Sequence, residues 1–139
     1  MTGCTVPSGL KQGCYFWTVP TVPDPIGTTG KVRVKQTTDL SVRNDSPAFT
    51  IKGKLNVALP AGGEVAAVNL LQSISWVKTG TILNVKLEYS KSGTFSDAVV
   101  ITPSVGGTIL SPDWTVPDAI ATTVRIRVSD ARAGFVNLV

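Results

Sequence analysis

The chain has 139 residues, room for one domain or for one domain and part of another. Its 19 Val, 8 Ile and 17 Thr make 44 β-branched residues, and 13 Gly with 9 Pro supply turn punctuation, a balance that favours strands over helices. The net charge is only +4, His is absent, Glu occurs only at Glu64 and Glu88, and no run of 18 apolar residues appears, which weighs against histidine-based catalysis, His-ligated metals, nucleic-acid binding and a membrane-spanning helix.

The first segment, MTGCTVPSGLKQGC, carries both cysteines, Cys4 and Cys14, with nine residues between them. That spacing fits neither a Cys-x-x-Cys redox motif nor a four-ligand zinc site. Two readings stay open: a disulfide closing a small loop in an extracellular chain, or two inert thiols. Thr2-Gly3-Cys4 is similar to a lipoprotein cleavage site but has no apolar leader before it, so a mature chain or an excised fragment is expected. Tyr15, Phe16 and Trp17 follow. Three consecutive aromatics cannot all face one core, so at least one is expected at a surface or an interface.

Lys31-Val32-Arg33-Val34-Lys35 alternates charge and valine, the pattern of a strand whose charges face water and whose valines face inward. Ser46-Pro47-Ala48-Phe49-Thr50-Ile51-Lys52 reads as a further strand. Lys54 to Leu59 is another, ended by Pro60 and the Gly62-Gly63 turn. Leu70 to Lys78 follows, with Ile74 and Trp76 on one face, until Thr79-Gly80 breaks it. In Leu83 to Ser90, Val85, Leu87 and Tyr89 are expected inside, with Lys86 and Glu88 outside. Lys91-Ser92-Gly93 turns the chain into a strand from Ala98 to Pro103, and Gly106-Gly107 turns it again. Thr108 to Val116, interrupted near Pro112, then Thr122 to Ser129 and a short Phe135 to Val139 complete the series. With no 3.6-residue period anywhere, the expected fold is all-β: an antiparallel sandwich of the immunoglobulin or fibronectin type III kind.

An internal repeat organises these strands. Residues 21–34, TVPDPIGTTGKVRV, and 115–128, TVPDAIATTVRIRV, align without a gap at an offset of 94, with nine of fourteen positions identical. Trp17 and Trp114 precede the two copies. Since 139 residues cannot hold two units of 94, the expected organisation is a partial unit over 1–53, the back half of a sandwich with a cysteine-bearing arm, and a near-complete unit over 54–139 lacking its last strand. Pro47, Ala48, Phe49, Thr50 and Ile51 form the strand that has no counterpart after the second copy.

Ile74-Ser75-Trp76, then Asn84 to Ser90, then Trp114 to Asp118, then Val124 to Asp130 occur in an order that resembles the immunoglobulin-like, fibronectin-type-III-like repeats of large bacterial secreted and cell-surface proteins. The likeness covers roughly residues 54–131, and 15–53 match the back half of a neighbouring unit. It implies an extracellular, non-enzymatic module for spacing, adhesion or assembly. The segment bearing Cys4 and Cys14 has no equivalent in the second unit.

Residue by residue, scaffold roles prevail. Trp76 and Trp114 are read as core or core-edge packing. Asp24 and Asp118 are read as acceptors for backbone amides in their turns, ahead of a calcium role shared with Asp113 or Asp130. The serines have no histidine base. No catalytic residue, cofactor or metal is therefore expected. A sandwich short of a strand exposes an unpaired edge, so the leading expectation is a structural subunit that joins copies of itself by strand complementation, with Pro47 to Ile51 as the donated strand. A glycan- or protein-binding adhesion or spacer module, using Tyr15, Phe16 and Trp17, is the alternative.

Overall fold

The computed structural model describes residues 13–20, 24–108 and 113–132, and among them every helix or strand element is a strand, as the β-branched composition requires. The strands are β1 (Gly27–Gly30), β2 (Arg33–Lys35), β3 (Arg43–Asp45), β4 (Phe49–Ile51), β5 (Lys54–Leu59), β6 (Leu71–Ser73), β7 (Ser75–Thr79), β8 (Asn84–Ser90), β9 (Val99–Gly106), β10 (Asp113–Thr115) and β11 (Arg125–Asp130). Every pairing is antiparallel.

The core lies in the second part of the chain. There β5 pairs with β7, β6 with β10, and β8 runs between β11 and β9. Leu55 of β5, Ile74, Trp76 of β7, Ile82, Val85 and Leu87 of β8, and Val128 of β11 are buried as one cluster, with Ile101, Val105, Trp114 and Ile126 packed against it. Full burial of one such side chain stabilises by about 1.5–3 kcal/mol, so these few residues carry most of the fold's hydrophobic driving force. Trp76 satisfies its buried indole by donating Nε1–H to the Gly107 carbonyl, 3.1 Å away. Gly107 must be glycine, because a Cβ there would collide with the Ile82 carbonyl.

Two strands depart from their expected outline. The stretch from Leu70 to Lys78 splits at the fully buried Ile74, because β6 pairs with β10 whereas β7 pairs with β5. The strand expected to end at Pro103 continues through it to Gly106. It tolerates the proline because β9 is an edge strand whose register slips by one residue between Val105 and Thr102 and again between Thr102 and Val100. Residues 109–112 and the expected strand Phe135 to Val139 lie outside the described residues.

The first part is thinner. β1 pairs with β4, Gly27 opposite Ile51 and Gly30 opposite Phe49, while β2 pairs with β3 in a separate hairpin. All six residues of that hairpin are exposed. Val32 and Val34, expected to face inward, instead face solvent, since among the described residues no second layer covers them. The first part meets the second where Ile26 lies on Gly80, at a spacing that leaves a Cβ on Gly80 only 2.8 Å from Ile26 Cδ1, and where Gly53 lies equally close against Ile82.

Candidate functional site

The two copies of the repeat build the same strand in different settings. In the second copy, Arg125–Asp130 lies against β8 with Ile126 opposite Tyr89, Arg127 opposite Glu88 and Val128 opposite Leu87. Val128 is 2% exposed and sits in the core. On the other face, Arg127 grips Glu88 Oε2 through Nε at 3.0 Å and Nη2 at 2.8 Å, Lys86 bonds Oε1, and the guanidinium lies 4.4 Å from the centroid of the Phe95 ring. Glu88, expected outside, is on the outward face but only 3% exposed, because these side chains close over it. Burial pushes the Glu88 carboxyl up, and the hydrogen bonds and charges of Lys86 and Arg127 outweigh that and hold it below its usual range.

In the first copy, Arg33 is the counterpart of Arg127 and Val34 that of Val128. Arg33 bonds Asp45 of β3 through Nε at 2.6 Å and Nη2 at 2.8 Å, which lowers the Asp45 carboxyl. Both groups are well exposed, and Val34 is 72% exposed. Lys31, Arg33, Lys35 and Arg43 leave this hairpin net positive against Asp39, in its turn, and Asp45. β2 uses one edge for β3: Ser46 N–H donates to Val32 O and Gln36 N–H to Val42 O, at 2.8 and 2.9 Å. Among the described residues, no strand lies on its other edge.

The strand containing Pro47, Ala48, Phe49, Thr50 and Ile51 is placed within its own chain: β4 lies on β1, with the Phe49 ring over Gly30. Tyr15, Phe16 and Trp17 are all well exposed, Tyr15 at 88%. Cys14 is disulfide-bonded, and Cys4 lies outside the described residues. Asp24 accepts from Ile26 N–H at 3.2 Å, the turn role expected of it, and Asp118 is exposed beside a turn closed by Ala119 N–H on Pro117 O.

Two features escaped the sequence reading. An open apolar groove of about 690 Å³ runs past Val57, Val65, Trp114, Ile120 and Val124, with Tyr89 tilted against Trp114 at 5.4 Å between ring centroids. Trp114 is thus half-buried at the groove wall. Beside β8, the loop from Ser90 to Asp97 closes on the Asp97 carboxylate, which accepts from the Ser90 and Ser92 hydroxyls and from the Lys91 and Ser92 amides. The Ser90 and Ser92 bonds hold it far below the usual carboxylate range. The hydroxyl residues Ser90, Ser92, Thr94 and Ser96 around Gly93, ending in Asp97, were the available signal for that loop.

Among the described residues, no three His, Cys, Asp or Glu side chains are grouped to hold a metal ion, and no helix is long and apolar enough to cross a membrane. No family model, curated protein or solved structure matches the chain.

Proposed function

We propose that this chain is a non-catalytic, extracellular structural module of immunoglobulin-like sandwich type, which joins copies of itself by strand complementation into a filament or surface layer. The observation that carries this reading is the unequal fate of one sequence: residues 31–34 are bare, whereas their counterparts at 125–128 lie on β8 with Val128 sealed in the core. An edge strand with apolar side chains and free backbone groups is a template for another strand. The disulfide at Cys14 supports an oxidising, extracellular setting. In this reading the half-unit is the point of association, with β4 held by β1 of the same chain and β2 open. Light scattering on the intact chain over a rising concentration series tests it. Molar mass should climb beyond that of one chain, and a constant mass of 14.6 kDa would sink it.

A second reading, adhesion to a glycan or a surface protein, is favoured by the exposure of Tyr15, Phe16 and Trp17. It requires a monomeric sample whose binding on a glycan array disappears with Trp17→Ala.

A further inference from the structure

We infer that the open edge of β2 is a receptor for one extended protein strand of defined pattern: leucine opposite Val34, an acidic residue opposite Arg33 and an aromatic opposite Val32. The inference rests on the half-unit being a point of strand addition; the strand it names comes from another unit, since the β8 of a folded copy is already paired on both sides.

Backbone phase supports it first. In an antiparallel pair, alternate residues direct both N–H and C=O at one neighbour, and the intervening residues direct theirs at the other. Beside β2, Val32 and Gln36 bond towards β3, so Arg33 and Lys35 present their backbone groups to the opposite edge, where no strand lies among the described residues. In the second copy, Ala131 N–H donates to Asn84 O at 3.0 Å, which puts Arg127 and Ser129 in phase to bond β8. Arg33 and Arg127 are equivalent repeat positions. The free edge of β2 is therefore the same edge, with the same phase, that β8 occupies in the second copy. A one-residue slip would have destroyed this agreement.

Side chains supply the pattern. β8 sets Leu87 against Val128, Glu88 against Arg127 and Tyr89 against Ile126. The first copy keeps Arg33 and Val34 unchanged and offers Val32 for Ile126. Val32 and Val34 are the exposed apolar positions such a strand would cover. The charge agrees as well, since the four cations Lys31, Arg33, Lys35 and Arg43 outnumber Asp39 and Asp45 on this hairpin, and Arg33 bonds Asp45 through only two of its three guanidinium nitrogens. β8 itself is flanked on both sides by β9 and β11, so the visitor is a strand of this pattern from outside the folded unit.

The test adds a synthetic peptide of residues 81–91, TILNVKLEYSK, to the intact chain and follows amide hydrogen exchange. Exchange at Arg33 and Lys35 should slow, with no change at Arg127. A peptide carrying Glu88→Lys should bind about tenfold more weakly, and Arg33→Glu in the chain should restore it. Arg33 is exposed, so that variant keeps the fold. No slowing at Arg33 and Lys35 with peptide at about millimolar concentration, or equal slowing by the Glu88→Lys peptide, overturns the inference. The two proposals separate cleanly. A chain that grows in mass yet ignores the peptide associates elsewhere, and a chain that takes the peptide yet stays monomeric has the receptor without self-association.

Discussion

Val34 and Val128 occupy the same position of the same repeat, each preceded by arginine, yet one is 72% exposed and the other 2%. What separates them is the neighbour. Val128 has β8 beside it and β5 across the layer, while Val34 has β3 beside it and nothing described across from it. An alternating sequence thus determines which face of a strand is apolar; whether that face becomes a core is decided by strands dozens of residues away.

The widest contrast should come from placing a charge at each valine. Val128→Asp buries an unpaired carboxylate and should cost about 3 kcal/mol or more, whereas Val34→Asp should stay within about 0.5 kcal/mol. Urea denaturation of both variants measures the pair. Equal costs would mean that the first copy is packed after all.

Acid separates the two ion pairs next. Because the Glu88 carboxyl is held below its usual value in the folded chain, its pairing stabilises at pH above about 4.3 and is lost as the pH falls through the depressed value. Glu88→Gln should therefore flatten part of the loss of stability between about pH 5 and pH 3. Asp45→Asn, in the exposed counterpart pair, should leave that profile nearly unchanged. Denaturation midpoints across a pH series provide the measurement, and identical profiles for the two variants would erase the distinction.

The smallest difference concerns the threonines. Thr123 donates its hydroxyl to Lys91 O at 2.6 Å, tying the second copy to the turn after β8, where Gly93 at φ +73° lies under the Thr123 carbonyl. Its counterpart Thr29 is exposed. Thr123→Val should cost about 1 kcal/mol, and Thr29→Val should cost almost nothing. Thermal melts of both suffice.

The all-β class, the inward faces of Val85, Leu87, Ile74 and Trp76, and most turns were legible, because period-2 alternation and Gly or Pro punctuation are local signals. The bareness of Val32 and Val34 was not, since alternation reports a face and not its cover. Glu88 read as a solvated charge for a related reason: its cover comes from Arg127, 39 residues away, and from Phe95 under that arginine. The exposure of Tyr15, Phe16 and Trp17 was half legible, from crowding alone. The groove beside Trp114 was hidden because its walls come from three separate stretches of chain.

Pro103 and the two register slips of β9 have a consequence of their own. They deprive that border of the even ladder of donors and acceptors that a visiting strand needs, while β2 keeps its ladder regular. If β2 receives a strand as inferred above, the two edges differ in kind, β2 being regular and β9 broken. Strand addition at β2 would then find no matching site along β9, whose broken ladder disfavours pairing at that edge.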